Sequence, residues 1–238
     1  MESKKFDFIR GEILVVNKPL DWTSFDVVQK VRNTLCRLLK IKRIKVGHAG
    51  TLDPRATGVM VLCSGKYTKD IDKIQADEKE YIALLKVGAI TPSYDTETEE
   101  NEHFPTDHIN LEVIEKVLKM FVGTIEQIPP LFSAIKVDGK RAYKFARKGK
   151  DIELKSRLVE IREIELLRVE MPMIELRIVC SKGTYIRALA RDIGQALNSG
   201  AYLVGLKRTR IGNYTINQSI ELVELTNLLS AYFHQKEI

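Results

Sequence analysis

Gly47-His48-Ala49-Gly50-Thr51-Leu52-Asp53-Pro54-Arg55-Ala56-Thr57-Gly58 is the densest concentration of turn-forming and reactive residues in this chain. Its glycines permit backbone conformations and close approaches that a side chain would block. Pro54 stiffens the turn and biases Asp53 toward an extended backbone. The outcome is a carboxylate presented on a rigid loop, with His48 nearby. Neither the GxxxxGK[ST] of a phosphate-binding loop nor the GxGxxG of a dinucleotide fold occurs here. On these residues alone, Asp53 is either a reactive carboxylate or the side chain that closes an ordinary Asx-turn.

Regular elements flank the loop on both sides. Residues 11–17 read as a short, buried, β-branched strand. Ser24 is placed to cap the next helix, where Val27, Val28, Val31, Leu35, Leu38 and Leu39 recur at helical spacing between Lys30, Arg32 and Arg37. After the loop come an apolar strand over 59–63, a short helix after Thr68, and a strand over 79–88 that carries Tyr81. Residues 91–108 are acidic and polar and read as a loop. A helix is expected over 111–121 and a short one over 141–148, ended by Gly149. In 174–181, Ile174, Leu176, Ile178 and Cys180 alternate with other residues, so one strand face should be buried. A helix from about 185 to 198 should stop at Gly200, followed by a strand over 202–210 and an amphipathic helix over 220–233. This irregular alternation favours an α+β fold around a mixed sheet over a doubly wound one.

Of the 238 residues, 44% are hydrophobic, enough for one large domain or two small ones sharing a core. The charged fraction, 29%, is too ordinary for wholesale disorder. Cys36, Cys63 and Cys180 are odd in number and far apart, which suits buried thiols in a reducing compartment better than disulfides or a zinc site. The first twelve residues lack the apolar stretch of a secretion signal. No apolar run approaches the roughly 18–20 residues that span a bilayer. A soluble cytoplasmic protein without a membrane partner is expected. The net charge of +6 is unevenly placed: residues 1–70 carry fourteen Lys and Arg against seven Asp and Glu, residues 136–157 nine against three, and residues 94–126 two against nine. Charges sorted in this way either steer a phosphate backbone onto one face or are ordinary solvated surfaces.

The 47–58 loop resembles the central motif of the TruB family of tRNA pseudouridine synthases. Further blocks resemble the same family, in its order, from about residue 11 to 217. They are Asn17-Lys18-Pro19 with Thr23-Ser24, Lys79-Glu80-Tyr81, and Gln127-Ile128-Pro129-Pro130 through Ser133-Ala134, with Gly139, Tyr143, Ala146-Arg147 and Gly149. The last is Cys180-Ser181-Lys182-Gly183-Thr184-Tyr185-Ile186-Arg187. The resemblance implies an α+β pseudouridine synthase fold: a mixed, mostly antiparallel central sheet flanked by helices, with a thumb insertion at about 124–155. It implies that residues 1–238 form a single catalytic domain.

It also implies the chemistry: isomerisation of the T-loop uridine of tRNA conventionally numbered 55, by breaking the N-glycosidic bond, turning the uracil and rejoining it through C5. Asp53 matches the catalytic carboxylate, acting either by attack on the ribose or by promoting a glycal. Tyr81 matches the tyrosine that stacks on the flipped base. Arg187 matches the arginine that pairs with the catalytic aspartate. Tyr185 and Leu206 match residues framing the uracil pocket, and His48 the histidine that meets displaced T-loop nucleotides. Lys18 is expected to support the loop or a phosphate. Lys140, Arg141, Lys144, Arg147 and Lys148 on the thumb, with Lys207 and Arg208, are expected on the RNA backbone. No cofactor and no metal are needed, the partner is the tRNA T-arm, a role in tRNA folding accompanies the activity, and a monomer is expected.

This sequence departs from the family pattern in several places. Asp21 stands where a glycine is usual, and Ala49 and Arg55 replace a threonine and a leucine. Asp95 and the acids after it replace a glycine-bearing turn. Many members carry a further RNA-binding PUA domain, expected to be absent here.

Overall fold

The structure, a computed structural model, describes residues 6–133, 136, 137, 139–142, 145 and 152–234. In chain order the elements are β1 (Ile13–Lys18), α1 (Ser24–Leu38), β2 (Val46–His48), β3 (Ala56–Ser64), a 3-10 turn (Gly65–Asp70), α2 (Ile71–Ala76) and β4 (Lys79–Val87). There follow β5 (Ala89–Ile90), β6 (Glu102–His103), α3 (Leu111–Met120), β7 (Gly123–Gln127), β8 (Lys136–Val137), β9 (Lys140–Arg141), β10 (Arg157–Glu170) and β11 (Met173–Cys180). The chain closes with α4 (Ile186–Ala196), β12 (Ala201–Ile211), β13 (Tyr214–Thr215), β14 (Ile220–Glu221) and α5 (Leu222–His234). The α+β class expected from the sequence holds, with mostly antiparallel pairing. Two compact units divide these elements: Met1–Lys79 with Lys207–Ile238, and Glu80–Leu206.

In the first unit the sheet order is β14-β1-β3-β12. β1 runs antiparallel to β3 from Ile13 opposite Cys63 to Lys18 opposite Gly58, and parallel to β14. β3 is buried on both faces, which is why its sequence is a continuous apolar run. Met60 and Leu62 join Leu14, Val16, Val27, Val31, Leu35, Leu222, Leu225 and Leu229 in a core beneath α1 and α5. Val59, Val61 and Cys63 join Ala49, Ile74 and Ile211 on the other side. The cap of α1 is Thr23 and not Ser24: Thr23 accepts from Asp26 N, and the Asp26 carboxylate accepts from Thr23 N. Ser24 is freed for another contact described below.

In the second unit the order is β4-β11-β10-β7. The alternation of β4 buries Tyr81, Ala83, Leu85 and Val87, and that of β11 buries Ile174, Leu176, Ile178 and Cys180. β10, fourteen residues long, was not apparent from the sequence. Register shifts between Ile161 and Glu163, and between Leu166 and Arg168, insert an extra residue twice. Its more buried positions are therefore 157, 159, 161, 164, 166 and 169, a spacing that keeps neither the strand period nor the helix period throughout. The 91–108 loop is largely as expected, with a small β5–β6 hairpin added. α4 ends where Asn198 turns to φ 51 and Ser199 N bonds Gly194 O at 3.0 Å. Gly200 instead makes room for Phe104, which lies 2.6 Å from where a Cβ would stand. Arg141, expected to open a helix, lies in β9 opposite Lys136, and most of that expected helix falls outside the described residues.

Gly58 sits in β3 at φ 106, and a Cβ there would lie 2.2 Å from the Arg208 backbone oxygen. Gly123, at φ 105, faces open space. Gly58→Ala should therefore cost about 3 kcal/mol or more, and Gly123→Ala only about 1–2 kcal/mol, in urea unfolding.

Candidate active site

The Asp53 loop lies wholly in the first unit and is held through its main chain. The Ser24 hydroxyl accepts from Leu52 N at 2.8 Å and donates to Leu52 O at 3.0 Å. Lys18 is fully buried, and its ammonium donates to the carbonyls of Pro19 (2.8 Å), Trp22 (2.6 Å) and Pro54 (3.3 Å). Burial lowers its pKa to about 8, against the opposing pull of the Asp53 and Asp21 carboxylates. Asp21, at φ 63, donates its N–H to Pro54 O at 2.9 Å. Aspartate tolerates this left-handed region better than most residues. Its carboxylate also meets Arg55 at 2.8 Å, so the two departures from the family pattern form one exposed ion pair across the loop. Asp53 itself is partly exposed, between the buried Leu52 and the exposed Pro54.

Arg208 corrects an expectation. Placed in advance on the RNA backbone, it is 1% exposed and donates to Val59 O (2.8 Å), Gly50 O (3.0 Å) and Thr51 O (3.3 Å). Its guanidinium holds the far side of the Asp53 loop and is not offered to phosphates. Lys207, its neighbour, is exposed. His48 stands at the end of β2; burial and then the Arg208 charge lower its pKa, with the Gly50 backbone opposing, which favours the neutral ring.

The second unit carries Tyr81, Tyr185, Arg187 and Leu206. Tyr81 is 8% exposed on the inner face of β4. Tyr185 precedes α4, and Gln127 takes the place of a cap: its side chain accepts from Tyr185 N at 2.8 Å and donates to Tyr185 O at 3.2 Å. The Arg157 guanidinium lies 4.5 Å over the Tyr185 ring and also donates to Gly183 O. Leu206, on β12, is half-buried.

Arg187 is 4% exposed and donates to Ser93 O (3.2 Å) and Phe132 O (2.8 Å). Its ion pair with Asp95, at 3.5 Å, was missed by sequence reasoning. Asp95 is equally buried, and its Oδ1 accepts from Ser93 Oγ (2.6 Å) and Glu97 N (2.9 Å). In the sequence it heads a run of acids, and only burial separates it from the exposed ones.

Of the expected thumb contacts, Lys140 and Arg141 have a described backbone only, and Lys144, Arg147 and Lys148 lie outside the described residues. Among the described residues no three His, Cys, Asp or Glu side chains cluster as a metal site. No described helix is long and apolar enough to cross a membrane.

The family pattern of the TruB family pseudouridylate synthase N-terminal domain matches residues 37–186, and that of the tRNA pseudouridylate synthase B C-terminal domain matches residues 187–237. The chain belongs to the TruB family. It is a pseudouridine synthase, an isomerase, as its resemblance implied. A tRNA pseudouridine synthase B of Parabacteroides distasonis is 61% identical over 94% of this chain and 95% of that protein. One of Phocaeicola vulgatus is 59% identical over 91% and 92%. Among solved structures, a Cbf5-Nop10-Gar1 complex contains a similar chain, with TM-score 0.70 and 27% identity over 97% of this chain. An H/ACA RNP bound to a substrate RNA containing 2′-deoxyuridine gives 0.69 and 25%. This TruB-family chain spans only 57% of the length of those two chains.

Two outcomes follow for this TruB-family protein. Asp95→Ala leaves the buried Arg187 charge without that carboxylate and should destabilise the fold by about 3 kcal/mol in urea unfolding, partly recovered in Asp95→Ala/Arg187→Leu. Lys18 gives a pH dependence. An unfolded lysine titrates near 10.5 and the folded one near 8, so between these values the unfolded chain binds more protons and stability rises with pH. Below pH 8 both states are protonated and the burial cost stands in full. From pH 7.5 to 10, unfolding free energy should rise by about 2 kcal/mol more in the wild type than in Lys18→Met.

Proposed function

We propose that this chain converts the T-loop uridine of tRNA conventionally numbered 55 into pseudouridine, with Asp53 as the essential carboxylate. The observation that carries this reading is a carboxylate on a loop clamped from three directions by Ser24, Lys18 and Arg208, while the side chain stays partly exposed. The clamps fix the carboxylate before substrate arrives, and such pre-organisation lowers the barrier to bond breaking. The two tRNA pseudouridine synthases B named above, which this chain matches over nearly their whole length, support tRNA as the substrate.

In this reading the C1′–N1 bond breaks with Asp53 either attacking C1′ or promoting a glycal. The uracil then turns, C1′ bonds to C5, and the C5 proton is lost as N1 gains one. No electrons are exchanged with a second substrate. Tyr81, Tyr185 and Leu206 receive the flipped base, Arg187 supplies positive charge at the site, and His48 meets the displaced nucleotides. Lys207 and the thumb cations Lys140, Arg141, Lys144, Arg147 and Lys148 meet phosphates, and the T-arm is the part of tRNA engaged.

Asp53→Asn keeps the shape and removes the charge. With C5-tritiated tRNA transcript, the wild type should release tritium and the variant should release none while still binding the RNA. Equal release from both would remove Asp53 from its role. Release that persists in a transcript lacking the T-loop uridine would reassign the target. Because the variant binds but does not isomerise, it also separates catalysis from assistance to tRNA folding.

A further inference from the structure

Helix α4 carries two arginines one turn apart, and both reach the same two stretches of chain. Arg187 donates to Ser93 O and Phe132 O. Arg191, four residues on and on the same helix face, donates to Ile128 O at 3.0 Å and lies 5.3 Å over the Tyr94 ring. Each stretch, 93–94 and 128–132, is therefore gripped twice. Arg191 is fixed in turn by Asp192, whose Oδ1 accepts from it at 2.7 Å, and its side chain is 14% exposed.

Tyr94 has φ 57, a region that a bulky residue rarely enters. Its backbone is held there, with its N–H bonded to Thr91 O and its carbonyl accepting from Leu203 N, both at 3.0 Å. A residue kept in so uncommon a conformation by several bonds marks a place where geometry is imposed. Its neighbours on either side, Ser93 and Asp95, are the partners of Arg187.

We propose that Arg191 and Tyr94 form a positioning clasp that ties the segment at Ile128, the root of the expected thumb, to the Ser93–Asp95 turn, and so sets the Arg187 guanidinium for isomerisation. The inference rests on the proposed function, in which Arg187 serves the reaction. Arg191 acts through Arg187. The guanidinium donates to Ile128 O while lying over the Tyr94 ring, so it cannot keep both contacts if either stretch shifts. RNA that engages the thumb would thereby register the turn that holds Arg187.

The test uses the full chain and a tRNA transcript, comparing wild type, Arg191→Ala, Tyr94→Asn, Tyr94→Phe and Arg191→Ala/Tyr94→Asn. Single-turnover pseudouridine formation at saturating enzyme, RNA dissociation constant and thermal unfolding are measured for each. Arg191→Ala and Tyr94→Asn should each slow the single-turnover step about 10- to 100-fold, as small misplacements do. RNA affinity should stay within about 2-fold, since only the chemical step loses support. The double variant should be no slower than the slower single variant, because both remove one coupling. Tyr94→Phe keeps the ring face and should run at the wild-type rate. Asparagine accepts positive φ, so Tyr94→Asn should unfold no earlier than wild type, separating lost positioning from lost stability.

A wild-type rate in Arg191→Ala, losses that multiply in the double variant, or weakened RNA binding with an unchanged saturated rate would each overturn the clasp. If the wild-type chain forms no pseudouridine, the proposed function falls and the clasp with it. If the wild type is active, Asp53→Asn is inactive and Arg191→Ala is fully active, the clasp alone falls.

Discussion

Carbonyl groups in loops have no ladder to bond to, and in this protein buried cations supply the missing donors. Lys18 serves the carbonyls of Pro19, Trp22 and Pro54, and Arg208 those of Gly50 and Thr51 together with Val59 of β3. In the second unit Arg187 serves Ser93 and Phe132, beside the carboxylate of Asp95. A buried charge without partners would cost far more than the fold can spare, and hydrogen bonds to charged groups contribute about 1.5–3 kcal/mol each. The loops and the cations thus serve one another: each gives the other's buried polar groups a partner.

The choice of cation follows the shape of the task. Lys18 has three donors on one atom and three carbonyls converging on it. Arg208 spreads its donors over a planar fork, reaching from the start of the Asp53 loop to β3. The close approach of the Arg208 backbone to β3 also explains why position 58 carries no side chain.

Much of this was legible in advance, and the gaps have physical causes. β4, β11, α1 and α3 announced themselves because their apolar residues keep one period, and β3 because its apolar run is unbroken. β10 did not, because its two bulges shift the inward face and scramble the alternation. The Asp53 loop was visible from its glycines and Pro54, and Lys18 was expected on it or on a phosphate, yet the clamps from Ser24 and Arg208 were not. Ser24 looked like a helix cap, a role that falls to Thr23, and Arg208 looked like a surface cation because cations usually are. Asp95 stayed hidden for the matching reason: a carboxylate among carboxylates gives no sign of which one is buried. A buried charge is written in the fold's geometry, not in residue type.

Holding the Asp53 loop by its main chain has a consequence for how the protein can change over generations. The carbonyls of Gly50, Thr51, Leu52 and Pro54 belong to the backbone, so the clamps do not read which side chains the loop displays. Thr51 and Arg55 point outward and are open to drift, and a pair such as Asp21 with Arg55 can be acquired without disturbing the carboxylate between them. Part of the heritable information that fixes the loop therefore resides elsewhere in the sequence, at residues 18, 24 and 208, beside the loop's own Gly58 and Pro54. The loop is a rigid part whose lettering around Asp53 can be rewritten while its frame stays.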